Sequence, residues 1–351
     1  MENESALFQK IIPILTEWYK KYQRDLPWRR FPTAYGVWIS ESMLQQTRIE
    51  TVIPYYERFM LELPTVEALA CADDNRLMKL WEGLGYYSRV RNLKKAAQMI
   101  VSDFGGNLPE TAEQLKKLPG IGEYTAGAIA SLAFGKPEPA VDGNVLRVIM
   151  RLTACPDDIL SQKTKQTVTQ CLREVYPSGN DSAALTQGLM ELGETVCLPN
   201  GEPKCGVCPL SADCRAHQRN ETALYPVRSP KRGRKMQERT VFLLCRDEKY
   251  AIRRRGNSGL LAGLWEFPGT EDKKNLTEAE SYLREQGISF DSCEPCGEAK
   301  HIFTHIEWHM NGYFVRCTAE DERFIWKTPS EIKTDYALPS AFRFYLKYIL
   351  S

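Results

Sequence analysis

The sequence predicts a multidomain protein in which an all-helical region precedes a smaller α+β domain. Its 351 residues exceed the usual size of one domain. Apolar side chains recur at three- and four-residue spacing within residues 5–220, which is typical of helices buried on one face. Beyond Tyr225 the apolar residues form short strand-like runs instead.

The helical region is expected to occupy residues 1–225. Two stretches show its amphipathic period, with apolar positions at Phe8, Ile11, Ile12, Leu15 and Trp18, and again at Leu93, Ala96, Ala97 and Ile100.

A basic linker is predicted at residues 226–238, where PVRSPKRGRKMQE holds few apolar side chains. Residues 239–351 form the predicted α+β domain, with helices near Leu276–Gln286 and Ala341–Leu350. Its expected strands are Thr240–Cys245, Tyr250–Arg254, Ile302–Ile306 and Tyr313–Cys317.

The composition is that of a globular protein, with 43% hydrophobic and 26% charged residues and a net charge of +1. No apolar run approaches the roughly 18 residues that span a bilayer. The acidic, polar start MENESALFQK does not resemble a secretory signal. We therefore expect a cytoplasmic protein, nucleoid-associated if bacterial, with no membrane partner.

Four of the eleven cysteines crowd into one loop, in the pattern Cys197-x7-Cys205-x2-Cys208-x5-Cys214. In a chain without an export signal, such crowding indicates metal or cluster ligation rather than a disulfide framework. Four thiolates can surround one centre, and the ligand count alone permits either zinc or a [4Fe–4S] cluster.

A glycine turn opens a helix at Leu118-Pro119-Gly120-Ile121-Gly122. Gly120 and Gly122 allow backbone N–H groups to face outward, and the N-terminus of the following helix adds partial positive charge. Together they predict a site that binds a nucleic-acid phosphate irrespective of the base sequence. Asp142 follows 22 residues after Gly120.

The combination of this hairpin with a later aspartate resembles the signature motif of the helix–hairpin–helix DNA glycosylase superfamily. The helix–hairpin–helix itself would span residues 111–135. The resemblance implies that Asp142 is catalytic, because breaking an N-glycosidic bond builds positive charge on the sugar that a carboxylate stabilises. A helix N-cap is the alternative role. One branch of the superfamily carries a [4Fe–4S] loop with C-x6-C-x2-C-x5-C spacing. The resemblance therefore favours iron–sulfur over zinc for residues 197–214, although the first gap here is one residue longer.

Glu41 is the candidate acid for neutralising a departing base. It lies among apolar and amide residues, where burial raises a carboxyl pKa and keeps the group protonated; capping or ion pairing is the alternative. The surrounding ESMLQQTR resembles MutY-type adenine DNA glycosylases nearly letter for letter. The motifs LPWR (Leu26–Arg29) and GLGYYSR (Gly83–Arg89) extend this resemblance along the chain.

The resemblance implies a role for each matched residue. Glu41 protonates adenine at N7, while Asp142 stabilises the sugar cation or a covalent intermediate. Tyr124 and Asn144 assist, and Trp28 and Arg29 shape the adenine pocket. The residues expected to contact DNA or fill the duplex are Gln46, Thr47, Leu84, Tyr86 and Arg89. For Leu84, core packing is the alternative.

Relatives that also cut the DNA backbone carry a lysine two residues after the second hairpin glycine. That position is Tyr124 in this chain. A phenol cannot form a Schiff base, so the sequence predicts a monofunctional glycosylase.

Residues 239–351 resemble the Nudix-like domain of MutY-type enzymes. The catalytic box is missing, since Asn275, Leu283 and Arg284 stand where Glu, Arg and Glu are required. The triplet Phe303, Thr304 and His305 occupies the place of the family's Phe-Ser-His loop, which implies contact with 8-oxoguanine.

The expected substrate is double-stranded DNA with an A:8-oxoguanine or A:G mispair, bound by a monomer. Two alternatives are an endonuclease-III-like bifunctional glycosylase/lyase and an iron–sulfur redox sensor that binds DNA without cutting it. Tyr124 argues against the first, and the pair Glu41 and Asp142 argues against the second.

Overall fold

The computed structural model describes residues 4–230, 233–256 and 258–351, and these divide into two compact units. The first unit comprises the chain up to Cys71 and Arg91–Pro230. The second comprises Ala72–Val90 and the described chain after Pro230. Lys231 and Arg232 of the expected basic linker lie outside the described residues.

The regular structure described before residue 231 is helical, as the apolar period predicts, and most of it consists of α-helices. They are α1 (Ser5–Tyr22), α2 (Pro27–Arg30), α3 (Ala34–Leu44), α4 (Ile49–Glu62), α5 (Val66–Cys71), α6 (Asp74–Leu80), α7 (Ser88–Phe104), α8 (Ala112–Leu115), α9 (Glu123–Phe134), α10 (Gly143–Thr153), α11 (Gln162–Arg173), α12 (Asn180–Thr195) and α13 (Arg215–Gln218). Of these, α6 and the first residues of α7 belong to the second unit.

The first unit has a core that positions its functional loops. Phe8, Ile11 and Leu15 of α1 are buried on one face, as their spacing predicts. They share a hydrophobic cluster with residues of α10, α11 and α12. Half-buried cysteines of the loop after α12 pack against the same cluster, so this core holds both the start of α10 and the cysteine loop.

The second unit is built on a mixed sheet. Its strands are β1 (Lys235–Arg246), β2 (Lys249–Arg254), β3 (Trp265–Glu266), β4 (Gly269–Thr270), β5 (Phe290–Ile302), β6 (Ile306–Cys317) and β7 (Ile325–Lys327). The strand order is β3-β2-β1-β6-β5, with β4 paired to β1 and β7 paired to β2. Strands β1 and β6 run parallel, and the other pairs are antiparallel.

Helices cover both faces of this sheet. They are α14 (Leu276–Glu285), α15 (Pro329–Asp335) and α16 (Arg343–Leu350). Because side chains alternate along a strand, Val241 and Leu243 join the cluster beneath α15 and α16, whereas Phe242 and Leu244 join the cluster with α14. The predicted α+β class is thereby confirmed.

Two local expectations differ from the structure. The predicted strand at Ile302–Ile306 is wrong. Strand β5 ends at Ile302 and β6 begins at Ile306, so Phe303–His305 form the turn between the two strands. In this turn the Phe303 N–H donates to the Ile306 carbonyl at 2.8 Å. The turn lacks glycine, asparagine and proline, so its sequence gave no turn signal. Strand β1 also begins at Lys235, within the stretch expected as linker, because its backbone pairs in register with β6.

Across the described parts of the chain, no helix is both long enough and apolar enough to cross a membrane.

Candidate active site

One pocket of the first unit brings the predicted catalytic residues together. Glu41, Tyr124, Asp142 and Asn144 line it, although they come from α3, α9 and the start of α10. Trp28, Arg29 and Thr47 line the same pocket.

Glu41 is the buried member of this group, with 5% of its surface exposed. Helix α3 is buried on nearly every side, so Glu41 is surrounded by core residues. The Tyr124 hydroxyl donates a hydrogen bond to its Oε2 at 2.6 Å. Burial raises the pKa of Glu41 to about 7; the nearby charge of Asp142 acts in the same direction, and the Tyr124 hydrogen bond opposes it. A carboxyl group with this pKa is able to donate a proton near neutral pH.

Asp142 is held at the N-terminus of α10. Its Oδ1 accepts from the Val145 N–H at 2.8 Å, which makes it the N-cap, and its Oδ2 accepts from Asn144 Nδ2 at 2.9 Å. Burial raises the pKa of Asp142, and these two hydrogen bonds oppose the shift by favouring the ionised form. The N-cap role therefore holds the Asp142 carboxylate in the pocket, and it is compatible with a second role there.

The two carboxyl groups lie in different environments. That of Glu41 suits a proton donor, and that of Asp142 suits a negatively charged carboxylate. Glu41 accepts one hydrogen bond from a phenol, whereas Asp142 accepts from a backbone amide and a side-chain amide at a helix N-terminus. The helix N-terminus stabilises negative charge on Asp142. Such a pair can protonate a leaving group and stabilise a cation in one pocket.

A buried ion pair that the sequence analysis did not identify lies beside them. Glu191 of α12 accepts from Arg24 Nε at 2.5 Å and from Arg29 Nη2 at 2.8 Å. Burial opposes ionisation, but the hydrogen bond from Arg24 and the charge of Arg29 lower the pKa of Glu191. All three residues line the pocket. The available signal was a glutamate at a helical position flanked by the buried Leu189 and Leu192.

Arg29 carries a polar atom that the described residues leave unsatisfied. Its Nε is buried and finds no acceptor among them. Arg29 Nη1 and Nη2 are bonded to the Arg24 carbonyl and to Glu191, which fixes the guanidinium at the pocket wall. A buried donor left open in this way is suited to a polar ligand.

Of the two hairpin glycines, only Gly120 has a backbone that requires glycine, since Gly122 has a φ of −90° and open space where a Cβ would lie. Gly120 has a φ of +79°, and a Cβ at this position would lie 2.7 Å from the Asn92 Cβ, so only glycine fits. Gly122 caps α9, and the next residues lead directly to Tyr124. Gln46 is exposed and has a φ of +61°, and it lies within the loop between α3 and α4.

The four loop cysteines line one cavity of the first unit, together with the apolar Val196 and Leu210 among others. Burial raises the pKa of Cys208 to about 12 and also raises the pKa of Cys205 and Cys214. Burial therefore disfavours the thiolate forms, and a positively charged centre bound among these cysteines would stabilise them. In the described part of the chain, no group of three or more His, Cys, Asp or Glu side chains is arranged to hold a single metal ion.

Two buried arginines fix this loop. Arg151 Nη1 donates to the Cys197 Sγ at 3.3 Å, and Arg147 Nε donates to the Cys197 carbonyl at 2.7 Å. Both arginines belong to α10, the helix that Asp142 caps. The cysteine loop and Asp142 are thus attached to the same helix.

The remaining predicted DNA contacts lie in the second unit. Tyr86 is 44% exposed, whereas Leu84 is buried, as its core-packing alternative requires. Arg89 donates to the carbonyls of Leu84 and Gly85 at 3.0 and 3.1 Å, which closes the Gly83–Arg89 turn.

The predicted recognition triplet forms the turn between β5 and β6. Thr304 and His305 are exposed. The Phe303 ring packs edge-on against Trp308, with centroids 4.9 Å apart. The Thr304 hydroxyl lies 2.5 Å from the Tyr86 hydroxyl.

Comparison with known proteins gives a consistent result for both units. Residues 39–177 match the HhH-GPD superfamily of base excision DNA repair proteins, and residues 240–348 match the NUDIX domain. The adenine DNA glycosylase of Rattus norvegicus is 36% identical over 351 residues, covering 84% of this chain and 68% of that protein. The adenine DNA glycosylase of Buchnera aphidicola subsp. Acyrthosiphon pisum (strain APS) is 32% identical over 329 residues, covering 91% of this chain and 93% of that protein. A solved thermostable thymine-DNA glycosylase has a TM-score of 0.55 and 25% identity, covering 62% of this chain and 100% of that one.

Proposed function

The chain belongs to the MutY-type adenine DNA glycosylases, enzymes of base excision repair, and we propose that it hydrolyses adenine from A:8-oxoguanine and A:G mispairs without cutting the strand. The observation that carries this proposal is the hydrogen bond between Tyr124 and Glu41 in a pocket that also holds Asp142.

Glu41 is the proposed general acid. Its pKa of about 7 leaves a large protonated fraction at neutral pH, so it can deliver a proton to N7 of a flipped adenine. Protonation makes the base a better leaving group as the glycosidic bond breaks.

Asp142 is the proposed stabiliser of the sugar. Positive charge develops on the sugar as the base leaves, and the carboxylate is held by Val145 and Asn144 to face it. Asp142 acts either by electrostatic stabilisation or through a covalent intermediate, and both routes require it ionised.

Adenine itself is proposed to lie against Trp28 and Arg29. The Trp28 ring supplies an apolar wall, and Arg29 has a buried Nε without an acceptor among the described residues. Adenine ring nitrogens are hydrogen-bond acceptors, so they match this donor. Glu191 keeps the guanidinium in place.

The proposed lack of strand cleavage is supported by Tyr124. This residue lines the pocket where family relatives that cut the strand carry a lysine, and a phenol cannot form a Schiff base. This distinguishes the proposal from an endonuclease-III-like glycosylase/lyase.

DNA binding is assigned to surfaces of both units. The backbone N–H groups around Gly120 and Gly122 are proposed to hold a phosphate. We propose that two exposed side chains, those of Gln46 and Tyr86, fill the duplex around the estranged base. Arg89 and the buried Leu84 are proposed to support this contact by bracing the turn that carries Tyr86. Phe303, Thr304 and His305 are proposed to contact 8-oxoguanine.

The four loop cysteines are proposed to hold a [4Fe–4S] cluster. Four thiols around one cavity of mostly apolar lining match the donor set of such a cluster, and the neighbouring Arg151 offsets negative charge on the ligands. When bound, the cluster would cross-link the loop to the helical core. Because free thiolates and a DNA substrate are both required, we also propose that the protein acts in the cytoplasm. We further propose that it acts as a monomer.

Base release from three duplexes tests the proposal. Adenine opposite 8-oxoguanine, guanine or thymine is incubated with the protein, and strands are analysed with and without alkali. We expect excision from the first two duplexes and breaks only after alkali. Nicking without alkali would favour the lyase, and the absence of base release would favour the redox sensor.

A further inference from the structure

The segment Ala72–Val90 lies within the sequence matched by the helical glycosylase superfamily, yet it packs as part of the second unit. It contains α6 and the Gly83–Arg89 turn that carries Tyr86. Among the described residues, α6 and the turn that follows it both contact the sheet domain.

The first contact is made by α6 and the turn that follows it. The Lys79 ammonium donates to the carbonyls of Lys333 and Tyr336, at the C-terminus of α15. A cation is favoured at this end of a helix, where carbonyl groups lack partners. Glu82 accepts from the Leu338 N–H at 2.9 Å and pairs with Lys79 at 2.6 Å.

The second contact is made by the turn. The Tyr86 hydroxyl lies 2.5 Å from the hydroxyl of Thr304, at the tip of the β5–β6 turn. Gly83, Gly85 and Tyr86 all have positive φ, so the turn holds a restricted backbone conformation. Arg89 braces it from inside through its bonds to Leu84 and Gly85.

We propose that the Nudix-like domain positions the Gly83–Arg89 turn for insertion into DNA, with Lys79 and Glu82 as positioning residues and Thr304 as the contact to Tyr86. In this role the domain promotes adenine excision from any mispair, in addition to its proposed contact with 8-oxoguanine. This inference rests on the proposed function only in assuming that the turn enters the duplex.

The two roles of the domain make different predictions. Loss of a positioning residue weakens insertion of the turn whichever base faces the adenine. Loss of a base contact weakens only the mispair that contains that base. The ratio of the two excision rates therefore separates positioning from recognition.

The test uses Lys79→Met and Tyr86→Phe in the full chain, with Lys249→Met and Tyr348→Phe as matched controls in the same unit. Lys249 pairs with Glu320 at the surface, and Tyr348 is an exposed residue of α16. Single-turnover excision is measured on A:8-oxoguanine and A:G duplexes. Unstacking is measured by the fluorescence of 2-aminopurine beside the base opposite adenine. For this measurement the target carries a 2′-fluorine, which resists cleavage because it destabilises the sugar cation.

We expect both variants to reduce the fluorescence gain. Lys79→Met should slow both excision reactions by about 10-fold, the usual worth of a hydrogen bond to a charged group, and Tyr86→Phe should slow them by about 5-fold, the value of one neutral hydrogen bond. The ratio between the two mispairs stays unchanged. Lys79→Arg retains the cation and its donors, so it restores both readouts. The controls behave as the unaltered protein.

Two results would overturn the inference: an unchanged fluorescence gain in both variants, or a loss confined to A:8-oxoguanine. If Lys79→Met fails to fold, Tyr86→Phe, which removes one oxygen atom, decides the outcome alone. Failure of the proposed function is distinct, because the unaltered protein would then release no adenine while the fluorescence measurement still reports insertion.

Discussion

The Tyr124 hydroxyl and the Glu41 carboxylate form a 2.6 Å hydrogen bond that joins α9 to α3 inside the pocket. The bond favours the ionised form of Glu41, while burial favours the protonated form and prevails, so that the pKa rises to about 7. Tyr124 therefore limits how far burial raises the pKa of the proposed acid. This relationship leads to a prediction for the pH dependence of adenine excision.

Single-turnover excision is expected to be fast below pH 7 and to fall as the pH rises through the Glu41 pKa, because only the protonated carboxyl donates. Tyr124→Phe removes the hydrogen bond that lowers this pKa, so the falling limb should move to higher pH. Rates between pH 5.5 and 9 measure the shift, with the exposed Tyr22→Phe as control. A limb that stays in place or moves to lower pH contradicts the assignment.

Glu41→Gln is expected to bind an A:8-oxoguanine duplex normally and to lose on the order of 10²–10⁴ in excision rate, the contribution of a positioned acid. Gel-shift affinity and single-turnover rates measure the two properties. Full excision activity in this variant would show that another group supplies the proton.

Asp142→Asn should lose on the order of 10²–10³ in rate, the scale measured for removing one electrostatic stabiliser. Asparagine is also a good N-cap, so α10 should persist. Asp73→Asn is the matched control, since Asp73 caps α6 by the same contact, from the Arg76 N–H at 2.9 Å. Equal rate losses in both variants would indicate that capping alone explains the effect.

Much of the site could be predicted because its motifs are local. The turn at Gly120 and Gly122, the aspartate at a helix start and the four-cysteine spacing each depend on residues close in sequence. The structure brings Glu41, Tyr124 and Asp142 to one pocket, as expected. Their common location was predicted through a family resemblance, since no local pattern relates α3 to α10.

The remainder depends on contacts between distant residues. The ion pair of Glu191 with Arg24 and Arg29 spans more than 160 residues of sequence and has no motif. Strand β5 was not predicted because its acidic residues and the bulge near Gly297 break the alternation that identifies strands. The packing of Ala72–Val90 with the sheet domain likewise follows from tertiary contacts alone.

The purified protein is expected to be yellow-brown and to contain about four irons and four sulfides per chain. Cys205→Ser should lower both the iron content and the affinity for DNA, because the loop loses a ligand. Cys71→Ser, an exposed cysteine outside the loop, is the control. Iron, sulfide and zinc analysis decides the matter, and stoichiometric zinc without sulfide would refute the cluster.

Thr304→Val should reduce the preference for 8-oxoguanine over guanine opposite adenine by about 5-fold, the value of one neutral hydrogen bond. The variant also loses the contact with Tyr86, so adenine excision from both A:8-oxoguanine and A:G duplexes should be slower. The decrease should be larger for the A:8-oxoguanine duplex. Comparison with Tyr86→Phe isolates the recognition effect, and the exposed Thr277→Ala controls for threonine loss. An unchanged preference in Thr304→Val would remove Thr304 from recognition.

Tyr124→Lys should convert the glycosylase into an enzyme that forms a Schiff base. The position opens α9 just after Gly122 and lines the pocket with Asp142, so an amine there lies near the sugar carbon exposed as the base leaves. A lyase needs this amine partly unprotonated. Burial and the helix N-terminus lower a lysine pKa, while ionised Glu41 and Asp142 raise it, so trapping should increase with pH.

Borohydride trapping and strand nicking without alkali measure the gain, and excision itself should continue at a reduced rate because Glu41 and Asp142 remain. Glu123→Lys is the matched control. It introduces the same amine one residue earlier, at an exposed position outside this pocket, and should trap no DNA. If Tyr124→Lys excises adenine without trapping DNA, residue 124 does not face the sugar. Its hydrogen bond to Glu41 would then be its sole contribution to catalysis.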